Sequence, residues 1–184
     1  NIWAAEAKFL KAYYHFLLLT YYGPIPIVDE NLPINASDFE VRIQRESIDN
    51  SVDYIVETID EALIHLPARV LSSNDLGRID QVIAKSIKSR VLTYAASPLF
   101  NGNSEMYSNF INEDGEHFFN QNYDLTKWER AKTASLDAIN TAIENGVGLY
   151  EFISTPPGFE EDFDDQFLQS MYNTKYSIVD KWNT

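Results

Sequence analysis

The stretch from residue 97 to residue 125 combines aromatic rings with amide and carboxylate side chains and has no helical period. Its rings include Tyr107, Phe118 and Phe119, set among asparagine, glutamine and aspartate. An aromatic ring can stack on the apolar face of a sugar, while amides and carboxylates hydrogen-bond its hydroxyl groups. The stretch is therefore a candidate carbohydrate site. The alternative is that the rings only fix a long loop onto the helices.

A second irregular region, residues 150–184, alternates acidic with aromatic side chains and contributes Trp182 as a further candidate ligand contact. Its acids do not have the spacing of a calcium-binding EF-hand loop, so we interpret them as a solvated loop. A pair such as Glu160 and Asp164 would suit glycoside hydrolysis only at a fixed separation, which a sequence does not define. The acids of this region are Glu160, Glu161, Asp162, Asp164 and Asp165.

Other catalytic patterns are missing from the sequence. His15, His65 and His117 fall in separate segments, and no HExxH, GxSxG or phosphate-binding glycine loop is present. The absence of cysteine excludes disulfides, thiolate zinc sites and cysteine nucleophiles. The sequence therefore predicts a protein that is not an enzyme and that has no catalytic residue, cofactor or metal.

The net charge of the chain argues against one class of binding partner, nucleic acids. The chain has 28 acidic and 14 basic residues, a formal net charge of −14. A nucleic-acid backbone would be repelled by this charge, so no nucleic-acid partner is predicted. The 45% hydrophobic content excludes a disordered chain.

The first helix predicted, at residues 4–22, is apolar or aromatic over most of its circumference. Its polar positions Lys8, Lys11 and His15 share one narrow stripe. Such a helix is expected to be covered by several neighbours, and we predict a central core helix. Its apolar run, residues 9–22, has only about 14 residues and includes Lys11 and His15, whereas a membrane span needs about 20 mostly uncharged residues. Gly23 ends it, and prolines follow.

A second helix is predicted at residues 47–66, with Ser47 as its N-cap and Pro67 limiting its end. One apolar stripe predicts a buried face. An acidic row that includes Asp49 and Asp53 falls on the other side, and we interpret it as a solvated face.

Two further helices are predicted at residues 80–96 and 126–145. Asp80 caps the first of them. The second begins with Thr-Lys-Trp-Glu, which fits a capping box with Thr126 as N-cap. Its predicted inward stripe contains small residues after a tryptophan. The stripe consists of Trp128, Ala131, Ser135, Ala138 and Ala142, joined by Ile139 and Ile143.

Together the four helices predict an all-α fold of tetratricopeptide-like helical hairpins with long irregular loops, forming one unit over residues 1–184. The strict tetratricopeptide repeat pattern is missing. A protein-interaction scaffold without a glycan site is the alternative function, and a helical glycoside hydrolase ranks behind it.

Three blocks carry a more specific resemblance. Residues 5–28, AEAKFLKAYYHFLLLTYYGPIPIV, resemble the helix and Gly-x-x-Pro turn of the SusD/RagB family of surface glycan-binding lipoproteins from Bacteroidetes. Residues 77–103 resemble its Gly-Arg turn and the helix that ends in Ala-Ser-Pro-Leu-Phe-Asn. Residues 123–152 resemble its Trp-x-x-Ala helix and the Gly-x-Leu-Tyr that follows.

The resemblance implies a SusD-like fold and a chain that is part of a larger protein. It implies capture of an oligosaccharide or polysaccharide at the extracellular face of the outer membrane, and transfer to a TonB-dependent transporter. The membrane association would be through a lipid anchor that these 184 residues do not contain. No sugar contact carries over residue by residue, because the matching positions are core and turn residues.

Overall fold

The structure, a computed structural model, describes residues 1–149 of the chain. The chain divides into a unit of Asn1–Asn145, which holds all the helices described here, and a second unit of Gly146–Thr184. The predicted irregular region 150–184, with Trp182, lies outside the described residues and stays a prediction. The helices are α1 (Ile2–Tyr22), α2 (Ile48–Leu63), α3 (Gln81–Ala96), the single turn α4 (Ser104–Tyr107) and α5 (Leu125–Glu144).

The predicted all-α class is confirmed: residues 1–149 form helices, and their only β pairing is an isolated bridge between Ile111 and His117. Helices α1 and α2 make one antiparallel hairpin. Lys8 near the start of α1 pairs with Glu61 near the end of α2.

Helices α3 and α5 make the second antiparallel hairpin. Lys85 at the start of α3 reaches Asp137 and Thr141 at the end of α5, at 2.9 Å to each. The two hairpins join through α2 and α3, where Lys88 contacts both carboxylate oxygens of Asp60 at 2.6 and 2.7 Å. The four long helices therefore lie in the order α1, α2, α3, α5, which is the predicted tetratricopeptide-like arrangement.

The helix ends differ by up to three residues from the predicted bounds, and one predicted cap is wrong. Asp124 is the N-cap of α5, because its Oδ1 accepts from the Thr126 backbone N–H at 2.8 Å and from the Thr126 hydroxyl at 2.7 Å. Thr126 therefore lies inside the helix and caps nothing. The hydroxyl and backbone donors of Thr126 lower the pKa of Asp124.

The prediction that α1 is covered by several neighbours is wrong within residues 1–149. One stripe is buried, represented by Phe9, Ala12 and Leu19, and it packs chiefly on α2. The opposite side is exposed, with Tyr14 at 59% and Tyr21 at 78%. Among residues 1–149, none of the helices combines the length and apolar character that a bilayer crossing needs.

The predicted inward stripe of α5 is also partly wrong. Ala131 and Ala138 are buried as predicted, whereas Trp128, Ile139 and Ile143 are 39%, 54% and 67% exposed. The physical reason is that small side chains let α5 approach α3 closely, which leaves the bulky ones on the outer side.

The acidic row of α2 is partly exposed to solvent, as predicted, but four of its members also form ion pairs with neighbouring helices. Two basic residues of α5 approach it, and Arg130 Nη2 lies 2.7 Å from Asp53 Oδ1. The sequence pattern did not predict this second role. The four pairs are Lys127–Asp49, Arg130–Asp53, Lys88–Asp60 and Lys8–Glu61.

Arg78, in the Gly-Arg turn of the second matching block, binds side chains at the start of α1. Arg78 donates from Nε and Nη2 to the two carboxylate oxygens of Glu6, each at 2.9 Å, and its guanidinium lies 5.5 Å from the ring centre of Trp3. A forked, planar cation is the side chain that suits this geometry. The pairing with Glu6, followed by that with Asp75, raises the pKa of Arg78.

The connection that leaves α1 is anchored by a three-residue contact. Lys11 donates to the Asp29 carboxylate at 2.6 Å, and the Tyr54 hydroxyl donates to the same oxygen at 3.0 Å. The Lys11 hydrogen bond is the largest cause that lowers the pKa of Asp29, and the bond to Asp29 raises the pKa of Lys11. The arm that follows the proline turn is thereby held against the first hairpin.

The hydroxyl of Ser51 gives a first test of the packing. Ser51 is fully buried in α2, and its Oγ has no hydrogen-bond partner among the described residues. We expect Ser51→Ala to raise the free energy of unfolding by about 1 kcal/mol, because an unpaired buried hydroxyl is removed and alanine favours helix. Urea unfolding measures this change in the free energy of unfolding.

The control is Ser86→Ala. The Ser86 hydroxyl already donates a hydrogen bond to Val82 O at 2.7 Å, so its removal is expected to give no such gain. A loss of stability in Ser51→Ala would contradict the packing described.

The Lys11–Asp29 contact gives a pH-dependent prediction. Because the folded-state pKa of Asp29 is lowered from 3.8, its contribution to stability is fully present above 3.8 and is lost as the pH falls through the lowered value. We expect Lys11→Met to be less stable than the parent chain at pH 7, and the difference to shrink below pH 3.8. Urea unfolding midpoints across this range measure it. A difference that stays constant across the acid range would exclude this role of the pair.

Candidate functional site

The aromatic residues of the 97–125 stretch form a cluster on the helices. The rings of Tyr107 and Phe119 stack with centroids 3.9 Å apart and planes at 5°. Phe100 stacks on Phe119 at 5.8 Å, and Tyr94 of α3 contacts Phe100 at 4.7 Å. The stretch is therefore an ordered loop with its own small core.

The structure places the predicted site residues in different environments. Phe119 is 3% exposed and lies among other rings, so it presents no face to solvent. Tyr107 and Phe118 are half-buried at the edge of the cluster. Two exposed rings beside them were missing from the predicted site, Phe110 at 39% and Tyr123 at 63%. Sequence alone offered no signal for exposure, because all five rings sit in similar polar surroundings.

The two ends of the loop are closed by a side-chain amide. Asn101 Nδ2 donates to Asp124 O at 2.9 Å, and the Asp124 N–H donates to Asn101 Oδ1 at 2.8 Å. Asn101 is 4% exposed, and its two bonds to Asp124 are part-buried. Next to it, a Cβ on Gly102 would lie 2.5 Å from Tyr123 N, and only glycine permits this approach.

The far end of the loop folds back as a short hairpin and is fixed to α2. Asn112 N donates to Glu116 O at 2.9 Å, and Phe118 N donates to Phe110 O at 3.2 Å. The Ile48 N–H, at the start of α2, donates to Phe118 O at 2.9 Å. This bond places the hairpin directly beside the first turn of α2.

A polar cleft of about 170 Å³ lies at the base of this loop, between α2, α3 and α5. The chain connects its lining to the loop at two points: Asp49 follows Ile48, to which the hairpin is bonded, and Asp124 follows Tyr123. Its lining comprises Asp49, Val52, Asp53, Leu92, Ala95, Asp124, Thr126, Lys127 and Arg130. The loop rings and the cleft together make the candidate site.

The cleft carries both signs of charge, held in place by ion pairs across the helices. Lys127, with a side chain only 10% exposed, pairs with Asp49, and Arg130 pairs with Asp53. Carboxylates accept hydrogen bonds from hydroxyl groups. Ammonium and guanidinium groups donate hydrogen bonds to hydroxyl oxygens. No group of histidine and acidic side chains within residues 1–149 is arranged to hold a metal ion.

The size of the cleft limits what it can hold. Enclosed ligand pockets usually measure about 300–1,000 Å³, and this cleft is smaller. It has room for a single small polar unit, and a longer ligand would have to continue over the surface beside it.

Comparison with known proteins gives the family. A family model described as "Starch-binding associating with outer membrane", of SusD-like proteins, matches residues 3–93. The solved structure of BT4246 is 36% identical with a TM-score of 0.78, and the match covers 96% of this chain. The chain belongs to the SusD/RagB family. The chain spans 32% of the length of BT4246.

Two SusD-like structures from Bacteroides fragilis NCTC 9343 support the fold alone. One, a SusD-like protein, is 21% identical, and the other, a SusD-like carbohydrate binding protein, is 18% identical. Each has a TM-score of 0.52, and each match covers 74% of this chain and 20% of the other. None of the curated proteins shows a significant match to the sequence.

Asn101 gives a test of how the SusD-like loop is held. We expect Asn101→Leu to lower the free energy of unfolding by about 1–3 kcal/mol, because it leaves two part-buried backbone groups of Asp124 without their partners. Urea unfolding measures the loss. The control is Asn109→Leu, since Asn109 is exposed in the same loop and is expected to change little. Equal effects of the two substitutions would show that the amide does not close the loop.

Proposed function

We propose that this chain is the helical portion of a non-catalytic glycan-binding protein at the outer face of the outer membrane. Its ligand is an oligosaccharide or polysaccharide, which it presents to a TonB-dependent transporter. Membership of a family described as starch-binding and associated with the outer membrane supports both the ligand class and the location. A lipid anchor outside these 184 residues is the proposed membrane attachment.

The observation that supports the proposal is that exposed rings are neighbours, along the chain or through one backbone bond, of residues that line a charged cleft. Tyr123 is 63% exposed and directly precedes Asp124, which lines the cleft. Phe110 is 39% exposed and contacts Phe118 at 5.1 Å on the hairpin that is bonded to α2. A pyranose ring has an apolar face and a polar edge, and this region offers aromatic rings for the first and charged groups for the second.

The proposed site residues divide into two roles. Tyr107, Phe118 and Tyr123 are the proposed stacking surfaces, because part of each ring is accessible. Phe119, although predicted as a contact, acts from beneath: its ring supports Tyr107 at 3.9 Å and fixes the orientation of that ring. Trp182 remains a proposed contact outside the described residues.

The cleft supplies polar partners for hydroxyl groups beside the rings. Arg130 and Asp53 lie at its more exposed side, with side chains 46% and 50% exposed, so a ligand can reach them from solvent. Their mutual ion pair holds both in position before the ligand arrives, which reduces the entropy lost on binding.

A substitution series tests the site. We expect Tyr123→Ala to weaken binding of a recognised glycan by about tenfold, because a stacking surface is removed. Tyr107→Ala and Phe118→Ala are expected to act in the same direction. Affinity electrophoresis and calorimetry against soluble starch and a panel of other polysaccharides measure the affinities.

The matched control is Phe39→Ala, which removes a ring that is 87% exposed on the arm after α1, outside the site. Its affinity is expected to equal that of the parent chain, and circular dichroism checks that each variant is folded. Two results would refute the proposal: no glycan binds the parent chain, or Phe39→Ala loses as much affinity as Tyr123→Ala.

A further inference from the structure

The charges that line the cleft do not balance. Its lining holds three carboxylates and two cationic side chains, and every other member of the lining is uncharged. The carboxylates are Asp49, Asp53 and Asp124, and the cations are Lys127 and Arg130. The cleft therefore has an excess of one negative charge. Whether a negatively charged ligand could still bind there depends on how the two cations are paired.

Both cations of the cleft are already paired with acids of α2. Lys127 Nζ donates to Asp49 Oδ1, and the Lys127 side chain is only 10% exposed. Arg130 Nη2 donates to Asp53 Oδ1 at 2.7 Å. A negatively charged ligand would have to displace one of these carboxylates to reach an unpaired positive charge. A neutral hydroxyl group has no such requirement, because it can use donors and acceptors of an ion pair that stays intact.

Asp124 is the carboxylate of the cleft that has no cation in contact within residues 1–149. Its Oδ1 accepts two hydrogen bonds from Thr126, at 2.8 and 2.7 Å, and its Oδ2 accepts none from any residue that the structure describes. The bonds from Thr126 are the largest causes that lower the pKa of Asp124, and the charges of Lys127 and Arg130 add to them. Asp124 is therefore ionised at neutral pH, with one carboxylate oxygen available to a donor.

The loop that carries the proposed stacking rings is negatively charged as well. Residues 97–125 contain no lysine or arginine, and their acids besides Asp124 are Glu105, Glu113, Asp114 and Glu116. These four side chains are exposed, and none forms an ion pair within the described part of the chain. They extend the negative potential over the surface beside the cleft. A glycan that approaches the rings therefore meets the same sign of charge that it meets in the cleft.

We propose that the glycan site selects its ligands by charge, and that Asp124 is the residue that sets this preference. A sugar unit with a protonated amino group gains a carboxylate acceptor in the cleft. A neutral unit binds through its hydroxyl groups. A uronic acid or a sulfated sugar is excluded, because it meets an unpaired carboxylate and no unpaired cation. The inference rests on the glycan site proposed above and names the class of glycan that this site takes.

Competition by single sugars tests the preference, because the cleft has room for one small polar unit. The protein, produced from its complete reading frame, is bound to a glycan that it recognises. Glucosamine, glucose and glucuronic acid are compared as competitors at about pH 6, where an amine is protonated and a carboxylic acid is ionised. These sugars share the pyranose ring and differ chiefly in charge. We expect glucosamine to compete about tenfold more strongly than glucose, and glucuronic acid about tenfold more weakly.

Asp124→Asn removes the charge while keeping the helix start, because asparagine is as good an N-cap as aspartate and retains an oxygen that can accept from Thr126. We expect the three sugars to compete for this variant within about threefold of one another. The matched control is Asp38→Asn, the same substitution at an exposed position of the arm after α1, which is expected to keep the order of the parent protein. If circular dichroism shows that Asp124→Asn is not folded, Asp124→Ser provides a second uncharged N-cap for the same comparison.

Several results overturn the inference while leaving the glycan site in place. Glucuronic acid competes as strongly as glucosamine, or Asp124→Asn keeps the order of the parent protein. Asp38→Asn abolishes the order as completely as Asp124→Asn does, in which case the total charge of the protein sets the preference. None of the three sugars competes, in which case the cleft takes no sugar unit. If the protein binds no glycan at all, the proposed function is refuted, and this inference fails with it.

Discussion

The hydrogen bonds between the Asn101 side chain and the backbone of Asp124 are the constraint on which the candidate site depends. They bring the two ends of a long loop together, so that the rings between them form a cluster instead of an open chain. They also fix Asp124, which starts α5 and lines the cleft. Asn101 is buried, and a change there would disturb the loop, the helix start and the cleft together.

Ion pairs between helices give the array its second constraint. The acids of α2 pair with basic residues of α1, α3 and α5, for example Asp60 with Lys88 and Asp53 with Arg130. Single exposed pairs contribute little stability. Here the ion pairs position the helices, because opposite charges fix which turn of one helix faces which turn of the next. The same pairing fixes the charged side chains that line the cleft.

The blocks that identify the family are mainly structural. Gly23 ends α1, Arg78 holds the start of α1 through Glu6, and Asn101 closes the loop. Of the proposed sugar contacts, Tyr107 and Phe118 lie between the second and third blocks, and Tyr123 is the first residue of the third. One framework can therefore carry different rings in the same loop, and the family can be recognised without knowledge of the glycan.

The sequence by itself determined the helices and the family. Ser47 and Asp80 cap α2 and α3 as predicted, because a cap depends on side chains within a few residues. Only the tertiary structure decided which faces are buried and which rings meet solvent. Ile139 was predicted inward and is exposed, and Phe119 has the same sequence character as Phe110 but lies buried. Burial depends on neighbours brought together from distant parts of the chain, and no local pattern contains them.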